Sequence, residues 1–528
     1  VTYKILALEG VTARGLEILK REGWSVDEDK ALKPEELRAR LAPYHAILIR
    51  SGTKVTAEAL EGAENLKVIG RPGVGVDNVD LQAATRRGVV VMNSPGGNMV
   101  STAELTLALL LALARNIPQA NASIKSKTWD RKSFKGTEVC GKRIGVIGLG
   151  RIGREVALRC HAMGMEVLAS DPFVSAAAAE AVYARLVSLP ELLQSSDFLT
   201  LHTTITRDTR HLIDADAIAM MKPGVRIINA ARGALIDPDA LLAGLESGRV
   251  SGAALDVHAK EPPEDWRLAQ HPKVVATPHV GASTTEAQER VGTDIAIQVR
   301  DFLKGGLITN AVNFFSFPGD TYDQVRPAMD LAERLASLLG QACPGTPERL
   351  EFGVYGELEE LEAKPILSAA VTGLLRPALG NGVTLVNALN LAKERGIEVV
   401  EATSSARIAF SNLVALRLKT SEAELSIAGT LFGPNQLRVV EVDGVEIDAI
   451  PRGHMLLLKN DDKPGVVGQL GSRLGARSVN ISRMSVGTRP GSVRAVMLLG
   501  VDNPVPAETL AEIGKVEGVR EVRGIQLD

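Results

Sequence analysis

Short runs of apolar residues recur near the start of the chain, at Lys4–Leu8, Ala46–Arg50, Leu66–Gly70 and Val89–Met92. Between them lie segments whose apolar residues fall three and four apart, such as Thr12–Glu22 and Lys33–Leu41. The short runs predict buried strands and the helical spacing predicts amphipathic helices; their alternation predicts a parallel α/β sheet. A long apolar helix is predicted over Ser101–Ala122, kinked near its end by Pro118. A second α/β series follows, with strands at Arg143–Ile147, Glu166–Ser170, Phe198–His202, Val225–Asn229, Gly252–Val257 and Val274–Thr277.

The pattern changes after Gly305-Gly306 and Asn310-Ala311-Val312-Asn313. Residues 314–452 hold their own apolar helices and strands, among them Ile366–Leu375 and Leu437–Val442, and no catalytic constellation. Ala449–Gly453 reads as a short linker. Beyond it come a strand (Met455–Lys459), a helix (Gly465–Leu474), two strands (Asn480–Val486, Arg494–Val501), a helix (Ala507–Lys515) and a strand (Val519–Ile525). That βαββαβ order is a ferredoxin-like plan. The expected units are a discontinuous domain of residues 1–97 and 283–313, a second over 98–282, a third over 314–452 and a fourth over 453–528.

Bulk properties narrow the function classes. A chain of 528 residues, 45% hydrophobic and 23% charged, is long enough for three or four globular domains and is not disordered in composition. A net charge of −3 and a pI near 6.3 offer no general basic surface for nucleic acid. The apolar run around Leu105–Ala114 is shorter than the roughly 20 residues of a membrane span. The N-terminal Val1-Thr2-Tyr3-Lys4-Ile5 passes straight into a strand pattern, so no secretory signal is expected. Cys140, Cys160 and Cys343 have no CxxC spacing, which suits a reducing cytoplasm. His45, His161, His202, His211, His271 and His454 lack metal-ligand spacing, and no metal is expected.

Gly148-Leu149-Gly150-Arg151-Ile152-Gly153 is a dinucleotide fingerprint in the right setting. Ile144–Ile147 precedes it as a strand, and Ile152, Val156, Cys160 and Met163 follow at helical spacing. Gly148 permits the tight turn, Gly150 lets backbone approach a pyrophosphate, and Gly153 lets helix and strand pack closely. The helix N-terminus offers free N–H groups to the phosphates. Asp171, eighteen residues after Gly153, sits where an acidic residue bonds the adenosine ribose, and its charge favours NAD over NADP. Read plainly, Asp171 could instead cap the turn at Asp171-Pro172.

Three further segments fall at predicted C-terminal ends of strands, where open α/β sheets bind ligands: Asn229–Gly233, Asp256–Pro262 and Pro278–Ala282. Arg232 suits a substrate carboxylate and a polarised carbonyl. His279 suits the base that takes a hydroxyl proton. Glu261 could hydrogen-bond His279 and fix its tautomer. Alone, each could be an ordinary loop or surface residue; together, after an NAD fingerprint, they point to oxidation of a small hydroxy acid. His258 reads as structural.

In these phrases, with Asp237 and Leu255 beside them, the chain resembles the D-isomer specific 2-hydroxyacid dehydrogenases. Ile49–Lys54, Arg71–Asp80, Trp129-Asp130-Arg131 and the tail are similar to the long-form branch that acts on 3-phosphoglycerate. The resemblance implies two Rossmann-like/flavodoxin-like α/β domains, an α+β intervening domain and a ferredoxin-like ACT domain. It implies NAD-dependent oxidation of 3-phospho-D-glycerate to 3-phosphooxypyruvate, at the head of serine synthesis. Arg232, Glu261 and His279 would be catalytic. Val74, Gly148, Gly150, Arg151, Ile152, Gly153, Asp171, Thr203, Ala230, Ala231, Asp256, Val280, Gly281 and Ala282 would line the cofactor with Arg232 and His279. Arg50, Ser51, Gly75 and Asn98 would contact substrate with Arg232, and Arg131 would reach its phosphate from the same or a neighbouring subunit. Asp462, Gly465 and Asn480 resemble an L-serine effector site, usually formed between two subunits. A homo-oligomer, tetramer or dimer, is implied, with Ser101–Ala122 as a contact region. Sibling reductases of glyoxylate, hydroxypyruvate or 2-oxoglutarate, and an NAD-sensing scaffold, are the alternatives.

Overall fold

A computed structural model describes residues 2–9, 11–317, 319–402, 410–433, 435–489 and 493–527. Four sheets follow one another along the chain. The first has strands β1 (Lys4–Leu8), β2 (Ser25–Asp29), β3 (Ala46–Leu48), β4 (Val68–Arg71) and β5 (Val90–Asn93), all parallel, in the order β2-β1-β3-β4-β5. Ile5, Leu6, Ile47, Leu48, Val68 and Ile69 are fully buried because helices cover both faces. The Ser-Val-Asp-Glu-Asp run of β2 has no apolar period and was not expected as a strand. It forms because it lies at the sheet edge, where Tyr44 donates to Asp27 (2.7 Å) and charged residues can face water.

The second sheet has β6 (Arg143–Ile147), β7 (Glu166–Ser170), β8 (Ala184–Leu186), β9 (Phe198–Leu201), β10 (Val225–Asn229), β11 (Val250–Leu255) and β12 (Val274–Ala276). It is wholly parallel, in the order β12-β11-β10-β9-β6-β7-β8. The strand order reverses between β6 and β9, which opens a crevice at their C-terminal ends.

The single kinked helix expected over Ser101–Ala122 is two helices, Met99–Ala114 and Ile117–Lys125, inclined at 66°. The break is made by Asn116 in the left-handed region (φ 51°), and Pro118 sits harmlessly in the first turn of the second helix. Met99–Ala114 packs Leu107, Leu110 and Leu113 into the core of the second sheet. The long helix Thr285–Gly305 returns to the first sheet, burying Ile295 and Val299. Among the described residues no single helix is long and apolar enough to cross a membrane.

The third sheet has β13 (Pro347–Gly356), β14 (Glu398–Glu401), β15 (Asn412–Thr420), β16 (Glu424–Phe432), β17 (Gln436–Val442) and β18 (Val445–Ala449), in the order β14-β13-β15-β16-β17-β18. Only β13 and β14 are parallel neighbours. Helices Gly319–Ala342 and Ala363–Leu379 pack on it through Leu331, Leu335, Leu338, Ile366 and Val371. The fourth sheet has β19 (Gly453–Asp461), β20 (Ile481–Thr488), β21 (Arg494–Val501) and β22 (Val519–Leu527), ordered β20-β21-β19-β22, and all its neighbours are antiparallel. One apolar core runs from Val90 and Met92 through Phe317 and Tyr322 to Met455 and Leu457, so first, third and fourth units share a single interior.

Candidate active site

The fingerprint follows β6 and opens the Arg151–Ala162 helix in the crevice. Gly148 has φ 90°, and a Cβ there would stand 2.7 Å from His202 O. A Cβ on Gly153 would overlap Gly148 O, so only glycine lets the helix start this close to the turn. At Gly150 a Cβ would meet nothing within 4 Å. Gly150 is also the helix N-cap and supplies no side-chain cap, so unclaimed N–H groups border an open cradle. That geometry fits a dinucleotide pyrophosphate. Asp171 Oδ2 accepts from Leu149 N (2.8 Å) and Oδ1 from Phe173 N (2.9 Å). It therefore ties the fingerprint loop and caps its own turn, and each oxygen keeps a lone pair for a ribose hydroxyl. Burial lowers the pKa of His202 to about 4, so this histidine is a neutral partner of Thr200 Oγ1 (2.9 Å).

Asn229, buried at the end of β10, shapes the next loop by accepting from Ala231 N (3.1 Å) and donating to Arg232 O (2.9 Å). Ala230 is buried there. A Cβ on Gly233 would overlap His258 O, which brings this loop onto the loop after β11. His258 N donates to Glu261 Oε1 (3.1 Å), while Glu261 Oε2 meets His279 Nδ1 at 2.6 Å. Burial pushes the Glu261 carboxyl up, but the bonds from His279 and His258 outweigh it and hold the group below the usual carboxylate range. The His258 ring is engaged by Thr277 O at 3.1 Å. His279 has φ 54°, a strained backbone for a non-glycine residue. Asp256, 1% exposed, holds that conformation: it accepts from Thr277 Oγ1 (2.6 Å), Val280 N (2.8 Å) and Gly281 N (2.9 Å). Gly281 O in turn accepts from Thr102, and Ala282 O from Gln288.

The first sheet contributes the other wall. Its strand order also reverses, between β1 and β3, and Arg50 and Ser51 follow β3 at that point. Arg71 ends β4, and sequence reading gave it no role. Burial, then nearby Arg232 and Arg50, pull its pKa down to about 10 against the opposing charge of Asp77. Its Nε donates to Asn78 Oδ1 (2.9 Å), and Asn78 donates to Arg50 O (2.8 Å) and Thr53 O (2.7 Å). Three guanidinium groups, Arg50, Arg71 and Arg232, thus share one field. The Arg71–Asp80 phrase held the signal, but only packing reveals that its first residue comes within electrostatic reach of Arg232 and Arg50. Glu9, in the left-handed region at φ 63°, accepts from Gly52 N (2.8 Å) and braces the Arg50 loop. Val74 O accepts from Asn93 (2.5 Å), and Gly75 lies against the Arg232 guanidinium. Asn98 Oδ1 is buried and has no hydrogen-bond partner among the described residues. Arg151 and Arg131 are exposed, Ile152 and Thr203 half-buried.

In the fourth sheet the effector candidates are not together. Asp462 follows β19 beyond the Asp461–Arg494 pair, and Gly465 (φ 93°) begins the next helix. Asn480 is bonded to Asp502 beside the opposite end of β19, next to the His454–Val501 pair. Eight residues of strand, on the order of 25 Å, separate the two ends.

Two parallel α/β sheets, a fingerprint crevice and a carboxylate–imidazole pair on loops that meet the Arg232 loop are the marks of a nicotinamide-dependent dehydrogenase of 2-hydroxy acids. Comparison with known proteins agrees. Residues 107–281 match the D-isomer specific 2-hydroxyacid dehydrogenase NAD binding domain, 324–443 the D-3-phosphoglycerate dehydrogenase intervening domain, and 454–518 the ACT domain. D-3-phosphoglycerate dehydrogenases from Synechocystis sp. and Methanocaldococcus jannaschii are 43% and 42% identical. Each alignment spans 99% of this chain and 95% or 100% of the relative. A D-lactate dehydrogenase from Aquifex aeolicus, complexed with NAD and lactic acid, aligns with 59% of this chain and all of its own at 29% identity and a TM-score of 0.53. A glyoxylate reductase from Paecilomyes thermophila covers the same share, with 98% of its own chain, at 30% identity and a TM-score of 0.55. The chain belongs to the D-3-phosphoglycerate dehydrogenase family, in the form that carries intervening and ACT domains.

Proposed function

We propose that this enzyme oxidises 3-phospho-D-glycerate to 3-phosphooxypyruvate, the entry reaction of L-serine synthesis. The observation that carries the reading is the His279–Glu261 pair on the loops after β12 and β11, with the Arg232 loop packed onto the latter and Arg232 and Arg50 within electrostatic reach of Arg71. A substrate with a carboxylate at one end and a phosphate dianion at the other needs several cations, and guanidinium groups bind both planar and tetrahedral anions. Full-length relatives that bear this activity in their names support the same substrate.

NAD would be held along the Gly148–Gly153 fingerprint and would supply the acceptor for the hydride from C2. The protein's own residues do the rest. Arg232 binds the substrate carboxylate and orients C2. His279 takes the C2 hydroxyl proton on Nε2, since Nδ1 faces Glu261. Glu261 fixes that tautomer and stabilises the imidazolium that forms. Arg50 and Arg71 receive the phosphate, with Ser51, Gly75 and Asn98 lining the pocket and Arg131 reaching in from a second copy. Asp171 holds the adenosine ribose; Val74, Arg151, Ile152, Thr203, Ala230, Ala231, Val280 and Ala282 flank the dinucleotide.

The ACT unit supports a small-molecule effector, and we assign it L-serine. Because Asp462 and Asn480 sit at opposite ends of one sheet, a site using both takes one from each of two copies. Exposed Ile117, Ile124 and Trp129 around the second half of the broken helix favour association of subunits.

Steady-state turnover with NAD and 3-phosphoglycerate, and with NADH and phosphooxypyruvate, glyoxylate or 2-oxoglutarate, tests the assignment. The phosphorylated pair should have the highest kcat/KM. Turnover confined to unphosphorylated acids would replace it with the reductase reading that the glyoxylate reductase likeness supports.

A further inference from the structure

Arg232 is held from across the cleft. The loop after β10 carries it, yet its Nε donates at 3.1 Å to Oδ2 of Asp77, which lies in the loop after β4. Its Nη1 donates to Ala231 O at 2.8 Å. Its Nη2 occupies the space that a Cβ on Gly75 would fill. Two anchors on different nitrogens fix the plane of a guanidinium, whereas one leaves it free to swing. The bare backbone at Gly75 then lets that plane lie against the wall of the first sheet's unit.

The Asp77 side chain is 74% exposed and that of Arg232 30%. An ion pair this open contributes little to folding. It is also costly for anion binding to keep a carboxylate among Arg50, Arg71 and Arg232, so neither stability nor charge explains its presence. Orientation does.

We propose that Asp77 is a positioning residue for the hydroxy-acid site, which fixes the Arg232 guanidinium through Nε and joins the two α/β units at the cleft. The remaining N–H groups of Nη1 and Nη2 are thereby presented to the substrate carboxylate. Bidentate recognition depends on that plane being set before the substrate arrives. The inference rests on the reading of Arg232 as the carboxylate ligand.

The test uses the full-length protein and the variants Asp77→Ala, Asp77→Asn, Arg232→Lys and Asp77→Ala/Arg232→Lys, with thermal melts to show that each folds. Asp77→Ala should lose roughly tenfold or more in kcat/KM for the hydroxy acid while the KM for NAD stays within about twofold. Asp77→Asn keeps an acceptor for Nε and should stay within about threefold of wild type. In the Arg232→Lys background, where no Nε fork exists to hold, Asp77→Ala should cost less than about twofold.

The proposal is overturned by an Asp77→Ala enzyme equal to wild type, by an Asp77→Asn loss as large as that of Asp77→Ala, or by an undiminished loss in the Arg232→Lys background. A wild type that turns over no phosphorylated acid would instead overturn the substrate assignment. Oxalate binding to the NADH complex, followed by NADH fluorescence, reads the clasp without turnover. There Asp77→Ala should weaken oxalate about tenfold, and unchanged affinity overturns the inference.

Discussion

At the residue scale the site depends on charges whose neighbours decide their state. Glu261 has a carboxyl held below the ordinary range by His279 and His258 despite partial burial. It therefore stays ionised through the neutral range. Its stabilising contribution is complete above the usual glutamate range, near pH 4.3, and is lost only as pH falls through the lower folded value. Glu261 should thus add no proton to the acid limb of log(kcat) for hydroxy-acid oxidation, which should keep a slope of one. A slope of two would mean that Glu261 protonates in the same window. His279→Ala should lower kcat about 10²–10⁴-fold, the usual worth of a general base. A smaller loss would move that role elsewhere. The strained backbone of His279 adds a second expectation. Asp256→Asn, which weakens the bonds to Val280 N and Gly281 N, should lower kcat with Glu261 and His279 both intact.

At the scale of elements, the fingerprint separates two duties that look alike in sequence. Gly153 is glycine because the helix starts on top of Gly148 O; at Gly150 a Cβ would stand in open space, which on the proposed reading is left for the dinucleotide. Gly153→Ala should destabilise the protein by about 1–3 kcal/mol, as overpacking against backbone does. Gly150→Ala should leave the melting temperature nearly unchanged yet weaken NADH at least about tenfold. Equal NADH affinity in Gly150→Ala and wild type would remove the pyrophosphate from that cradle. The same scale explains two departures from the expected elements. β2 forms from a charged run because edge pairing with β1 requires backbone rather than apolar side chains. The Ser101–Ala122 segment breaks at Asn116 because asparagine tolerates the left-handed region, while Pro118 only fits the new first turn.

At the scale of the molecule, composition marks boundaries that packing does not respect. Gly305-Gly306 and the Asn310–Asn313 phrase mark a boundary, yet Asn313 bonds Val91 N (2.8 Å) and Val89 O (2.9 Å), in and just before the first sheet's last strand. Thr384 donates to Gly88 O (3.1 Å), docking the third unit on the first. Gln341, on the Gly319–Ala342 helix, both donates to Gln526 O (2.9 Å) and accepts from Gln526 N (3.0 Å), pinning the last strand. Arg334 on that helix holds Pro451 O (3.0 Å) between the third and fourth sheets. The separation of Asp462 from Asn480 carries its own expectation. Asp462→Ala and Asn480→Ala homo-oligomers should each lose serine inhibition, and hybrids of the two should regain part of it. Such hybrids hold one intact site for each doubly damaged one. Hybrids as insensitive as their parents would exclude a site shared between copies.

Much was legible in the residue order alone. Buried strands are read from apolar runs, glycine turns from their spacing, and the Arg232, Glu261 and His279 phrases from the strand ends they follow, because these signals are local. The sheet orders, the meeting of Arg71 with Arg50 and Arg232, the grip of Asp77 and the distance between Asp462 and Asn480 were decided only by tertiary structure. Each joins residues far apart in the chain, and no local pattern encodes which strand lies beside which or where a charged side chain finds its counter-charge.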